Sequence, residues 1–231
     1  MYEYVWMSAV LSDRSGQIAE LQSRVQQMQG VPSGRELDSL PGLASLPRLR
    51  TGSAFMVDNA SLALALLSGP SQAGEWIGIV GVPDLGYESA AELGVDLSRT
   101  IVVPEPGEHW LSVLAGLAEI ASVVLVRPPQ TVTPSQAERL RSRLRLKGAA
   151  LVSWGMWPRC EATFSLRSSH WVGLGRGHGH LSSRLAEVDV AWHGTSPRSV
   201  QLWLPGADAQ VTELVHDDGD LSYPYAQTVA G

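Results

Sequence analysis

Five short runs of almost uninterrupted apolar residues, each separated from the next by a segment of helical periodicity, restrict this chain to a small set of folds. The runs lie at 53–57, 76–81, 100–103, 122–126 and 149–153. A strand without polar alternation is apolar on both faces, so it belongs in a sheet covered on both sides. Strands interleaved with helices make that sheet parallel or mixed. Helices are expected at 61–67, 87–93, 108–120 and 133–146. Asp58 or Asn59 caps the first, and Gly94 stops the second. Trp110, Val113, Leu114, Leu117 and Ile120 share one face of the third. After Trp157 the pattern changes to strands joined by turns, at 162–167, 171–174, 182–192 and 199–204, so the sheet should finish with antiparallel strands. Trp76, Trp110, Trp192 and Trp203 fall inside these elements and are expected to pack in the core.

The chain has 231 residues, 44% of them hydrophobic and 17% charged, enough to bury a core in one domain with appendages. Its single cysteine, Cys160, excludes an internal disulfide and fits a reducing compartment. The most apolar run, 62–67, is far too short to span a bilayer. The first residues include Glu3 and lack the basic and apolar regions of a secretory signal. A soluble, cytoplasmic protein without membrane contact is expected. Net charge is −6, with five acids (Asp208, Glu213, Asp217, Asp218, Asp220) and no Lys or Arg from Gly206 onward. A chain holding nucleic acid mainly through phosphates would be basic.

Three regions follow. Residues 1–50 hold an amphipathic helix over 13–29, with Ile18, Leu21, Val25 and Met28 in one stripe, and then a linker or irregular wrap over 33–50. Residues 51–205 form the core. Residues 206–231 read as an acidic, mobile tail.

The order of pieces in that core resembles the RecA recombinase family over 52–205. The resemblance rests on Ala73-Gly74-Glu75-Trp76, Leu93-Gly94-Val95-Asp96-Leu97 and Val103-Pro104-Glu105-Pro106-Gly107-Glu108. The late segments Leu185-Ala186-Glu187-Val188-Asp189-Val190-Ala191 and Gln201-Leu202-Trp203-Leu204 continue it. It implies an α/β fold with a RecA-like, mostly parallel central sheet, helices on both faces and antiparallel strands at the C-terminal end. The departures matter as much. Where the family carries its phosphate-binding loop, this chain has Phe55-Met56-Val57-Asp58-Asn59-Ala60-Ser61. Four residues, Asp58, Asn59, Ala60 and Ser61, cannot build a nest of backbone N–H groups, and there is no lysine to reach a terminal phosphate. The fourth strand ends in Val126-Arg127-Pro128-Pro129 rather than in an acid. The position expected to hold a water-activating glutamate falls near Gly81-Val82-Pro83, with no carboxylate until Asp84. Phosphoryl transfer needs a cradle, a metal ligand and a water-orienting group, so neither catalysis nor a nucleotide cofactor is expected. The segments matching the family's DNA-binding loops, 127–133 and 155–159, are short.

Among RecA relatives the chain is most similar to the ImuA type, especially the actinobacterial ImuA-prime variety. That implies an accessory protein of damage-induced mutagenesis, near the nucleoid. It would act beside an ImuB-like inactive Y-family polymerase relative and an error-prone DnaE-type polymerase, with RecA a further candidate partner. Two other functions stay open: a degenerate RecA-family ATPase or recombination regulator, and an inhibitor that mimics a RecA subunit or blocks cell division.

Several constellations need weighing. Arg139, Arg143 and Lys147 share one side of the helix over 133–146, with Leu140, Leu144 and Leu146 inward. They are either a solvated surface or a weak patch for an acidic partner or template phosphates. Trp154 and Trp157 stand at a strand's carboxyl end, where open α/β sheets bind ligands, and are candidates for an exposed apolar rim. In the tail, Val211, Leu214 and Val215 and then Leu221, Tyr223 and Tyr225 alternate with acids as possible partner anchors. The glycine- and histidine-rich 173–180 reads as a hairpin connection. A metal there would need His178 and His180 together with His170 or His193, and no metal site is expected. No serine sits in a nucleophile elbow.

Overall fold

The computed structural model describes residues 34–173 and 181–214. The helix expected over 13–29, with Ile18, Leu21, Val25 and Met28, lies outside the described residues. So do 174–180 and the tail from Val215 onward.

Nine strands form one sheet in the order β3-β2-β4-β5-β1-β6-β7-β8-β9. They are β1 (Ala54–Val57), β2 (Ile77–Val80), β3 (Thr100–Val103), β4 (Val123–Val126), β5 (Ala150–Trp154), β6 (Ala162–Val172), β7 (Ser183–Trp192), β8 (Arg198–Trp203) and β9 (Thr212–Leu214). From β3 to β6 all pairings are parallel, and from β6 to β9 they are antiparallel. The molecule is therefore a mixed α/β protein with a large, mostly parallel sheet finished by antiparallel strands.

Side-chain alternation sorts the core into two layers. Phe55, Val57, Ile79, Leu125, Val152 and Phe164 point to one face, where they join α1 (Ala60–Gln72) and α2 (Tyr87–Glu92). Ala54, Val124, Val126 and Leu151 point to the other, toward α3 (Trp110–Leu117) and α4 (Pro134–Lys147). α4 opens with a complete capping box between Thr133 and Gln136 and closes on Gly148 in the left-handed region, φ 70°. No helix among the described residues is long and apolar enough to cross a membrane.

α1 differs from the other helices because every residue from Leu62 to Ser71 is buried. The sheet covers only one side of it. The other is closed by 34–50, whose Leu37, Leu40, Leu43, Leu46 and Leu49 are all buried in the same cluster. This segment is the wrap of the two alternatives and not a linker, so the core begins at Gly34. It leaves and returns to the same place, through Leu37 N–H to Leu49 O at 2.8 Å and Thr51 N–H to Arg35 O at 3.0 Å. It crosses α1 so closely that a Cβ on Gly69 would lie 2.6 Å from Ser39 Cα. Its far end reaches β9, where a Cβ on Gly42 would fall 1.9 Å from Val211 O.

Other expectations need correction. The strands expected at 162–167 and from 171 are one long strand, β6, which runs to Val172 with an irregularity between Leu166 and Ser168. The third helix ends at Leu117, so Ile120 is exposed. Trp110 is buried, but Trp76 and Trp192 are 45% and 40% exposed and are not core residues. Leu146 also faces outward, because Ala137, Leu140 and Leu144 occupy the buried side of α4. The tail does not begin at Gly206, since Val211 is buried in the core and Thr212–Leu214 is the sheet's last strand.

Two predictions follow from the wrap. Leu43→Ala should cost ~2–5 kcal/mol in denaturant unfolding, and Gly69→Ala should destabilise despite alanine's better helix propensity, because the intruding methyl meets backbone. The base of the wrap is tied by Arg35 to Glu75, 2.7 Å, with Glu75 also accepting from Ser122 Oγ. The Ser122 hydrogen bond first, and Arg35 after it, hold the Glu75 carboxyl below its usual range, against partial burial. A depressed carboxylate stabilises the fold above the unfolded pKa and loses that effect as pH falls through the folded one. Native and Glu75→Gln proteins should therefore differ in unfolding midpoint well above pH 4.5 and converge on acidification below it.

Candidate functional site

In an open parallel sheet, ligands collect at the carboxyl ends of the strands, so the loops there are the place for a site. The link from β1 to α1 is two residues long, Asp58 and Asn59. Asn59 is extended, and its Oδ1 accepts from Ser61 N at 3.0 Å and Leu62 N at 3.4 Å, capping α1 with the N–H groups that would otherwise face a ligand. Asp58 Oδ1 accepts from Leu166 N at 2.9 Å, which fixes the turn to β6.

Arg184 of β7 seals the same corner. Its Nη1 donates to Ser61 Oγ at 3.3 Å and its Nη2 to Ser169 Oγ at 3.2 Å, and the guanidinium lies 5.5 Å from the Trp171 ring centre. Only 8% of the residue is exposed. Burial lowers its pKa, though an arginine stays charged at ordinary pH. Of the four candidates in the turn, Asn59 and Ser61 are engaged by the fold itself, Asp58 is tied to β6, and Ala60 begins the helix.

The β2, β4 and β5 tips meet beside it. Arg127 donates to both carboxylate oxygens of Asp84, at 2.7 and 3.1 Å, and this bond holds the Asp84 carboxyl below its usual range. The same guanidinium stands 4.9 Å from the Trp154 ring centre. Gly81, at φ 75°, is required here because a Cβ would lie 2.7 Å from Arg127 O. The carboxylates nearest the tips are thus committed, and no cluster suited to a metal exists among the described residues.

The tryptophan rim is only partly realised. Trp154 is half-buried with one face taken by Arg127. Trp157 is buried, edge-to-face with Trp110 at 6.4 Å, and is a core residue of the α3–α4 layer. The apolar group that projects is Met156, 76% exposed. The Cys160 thiol, which donates to Trp157 O at 3.3 Å, is pushed up to about 12 by burial, which disfavours the thiolate.

The basic helix face is exposed but partly neutralised. Arg143 and Lys147 both pair with Glu119, at 3.2 and 3.7 Å, while Arg139 makes no ion pair among the described residues. Of the tail anchors, Val211 is buried and Leu214 is half-buried in β9, so neither is a free anchor. Val215, Leu221, Tyr223 and Tyr225 lie outside the described residues, as do His178 and His180. His170 and His193 are exposed, and neither belongs to a cluster suited to a metal among the described residues.

Sequence reading missed Arg184, Arg127 and Trp171. Arg184 carried a signal: it shares strand parity with Ala186, Val188 and Val190, all facing the core. Arg127 and Trp171 carried none, because their partners are distant in sequence.

The Asn59 cap can be measured. Asn59→Ala should lower stability by ~1 kcal/mol and Asn59→Gly by only a few tenths, read by chemical denaturation.

Comparison with known proteins gives three findings. Residues 42–159 match the family model described as the MT3502 N-terminal domain. The chain is 36% identical over 166 residues to the uncharacterized protein Rv3395c of Mycobacterium tuberculosis, covering 65% of this chain and 79% of that one. It is 14% identical to the crystal structure of SulA from Pseudomonas aeruginosa, covering 44% of this chain and 93% of that one, at a TM-score of 0.38 that carries no argument. The chain belongs to the MT3502 N-terminal domain family.

Proposed function

We propose that this member of the MT3502 N-terminal domain family is a RecA-like, non-catalytic accessory protein of damage-induced, error-prone translesion DNA synthesis. It works by protein–protein contact with an ImuB-like inactive polymerase relative and a DnaE-type polymerase, close to the nucleoid, with RecA a further candidate. Its DNA contact is weak, through the Arg139 side of α4 at most.

One observation carries the reading: the β1–α1 turn is closed by Asn59, Asp58 and Arg184. A phosphate cradle needs free backbone N–H groups at the helix start, and here Asn59 already takes those of Ser61 and Leu62. The committed carboxylate of Asp84 supports the same reading, since a metal-assisted step needs an available acid. The parallel strands finished by an antiparallel set agree with the layout that the resemblance implies.

Calorimetry with MgATP should give no binding heat, and turnover should stay at background. Saturable MgATP binding would move the protein to the degenerate ATPases. Co-purification should recover an ImuB-like subunit. Recovery of a cell-division protein or RecA in its place would make it an inhibitor. Because Val211 and β9 belong to the fold, the tail's role is tested by deleting 215–231 rather than 206–231.

A further inference from the structure

We propose that Arg184, with Ser61, Ser169 and Trp171, forms a docking site for a carboxylate side chain of an acidic peptide segment. The inference stands on local geometry and does not depend on the mutagenesis role.

Among the described residues Arg184 is a nearly buried cation without a counter-charge. Only hydroxyls receive its side-chain hydrogen bonds, Ser61 Oγ at 3.3 Å and Ser169 Oγ at 3.2 Å, and its Nε is buried without a partner there. No ion pair among the described residues reaches it. Glu187 and Asp189 are taken by Arg167, at 3.2 and 2.9 Å, and Asp58 by the Leu166 N–H. The residue cannot swing away freely, because its backbone N–H bonds Pro205 O at 2.8 Å and its carbonyl accepts from Leu204 N at 2.7 Å. The first turn of α1 adds positive potential of the same sign. An uncompensated buried charge is costly, and an anion brought to it removes much of that cost.

The donor set fits an oxyanion. A guanidinium has five N–H donors, of which two are used here, and each serine that accepts from it keeps an O–H to donate. Ser169 and Trp171 are exposed and Ser61 is half-buried, so the site opens outward. A peptide carboxylate suits it better than a phosphate for two reasons. The helix N–H groups that a phosphate would use are capped by Asn59. Trp171, 43% exposed beside the guanidinium, offers an apolar surface to a flanking residue.

The test uses the full chain and four probes: a capped oligo-glutamate peptide, the matching oligo-glutamine peptide, inorganic phosphate and MgATP. Oligo-glutamate should bind and the other three should not. Arg184→Gln should abolish binding while leaving the melting temperature unchanged or raised, since an unpaired buried charge is removed. Arg184→Lys, which keeps the charge but loses the planar fork, should weaken binding about tenfold. Ser169→Asp supplies a carboxylate from within; it should raise the melting temperature and block the peptide, and that rise shows the variant is folded. The proposal is overturned by failure of oligo-glutamate to bind, or by equal binding of Arg184→Gln. A Ser169→Asp protein that is less stable, or still binds the peptide, overturns it too. So does Arg184-dependent binding of phosphate or MgATP, which would make this a phosphate site.

Discussion

A helix apolar on every side must be enclosed on every side, and α1 imposes that constraint on the rest of the molecule. The sheet can cover one flank only. The remaining flank is covered by 34–50, which carries a leucine at every third position from Leu37 to Leu49 and places all five in the buried cluster. Packing at this density leaves no room for a side chain where backbones cross, hence Gly69 against Ser39 and Gly42 against Val211. The wrap thereby joins the start of the parallel half to the far edge of the antiparallel half.

Enclosing α1 also decides what its N-terminus can do. In nucleotide-binding α/β proteins that terminus is left open, and its dipole and N–H groups meet phosphate. Here the connection from β1 is too short to fold back as a nest, and Asn59 satisfies the helix from within. The neighbouring hairpin of β6 and β7 then supplies Arg184 and an acceptor-seeking Leu166 N–H, which bring the corner together. A cation sits where a triphosphate would bring negative charge, but it is engaged by hydroxyls and its backbone is pinned. The arrangement suits a carboxylate better than a triphosphate.

Much of the fold was legible because local pattern and final environment agree. The uninterrupted apolar runs of β1, β2, β4 and β5 are buried on both faces, and the helix expected over 133–146 is α4. What misled was context. The three-residue leucine repeat of the wrap matches neither helix nor strand, so linker and irregular wrap could not be told apart. The polar stretch from Arg167 to His170 hid the continuity of β6, because that arm has solvent beside it. Trp157 looked like a rim residue from its place after β5, but the turn through Gly155 carries it back under α3. At the site, absence was easier to read than presence. The missing cradle was visible in four residues, whereas the pairing of Arg127 with Asp84 joins positions 43 residues apart.

The sheet's two halves are clothed differently, and this has a dynamic consequence. From β3 to β5, helices lie on both faces, whereas across β6, β7 and β8 one face carries the Arg167–Glu187 ion pair and, around an open groove of about 240 Å³, Thr163, Ser165, Arg167, Asp189 and Ser199. Amide protection against solvent exchange scales with how much must come apart to expose the bond. The backbone amides of β2, β4 and β5 should accordingly be protected up to the global unfolding free energy. Those of β8 and β9 should exchange through smaller, separate openings, giving one continuous ladder two regions of unequal cooperativity.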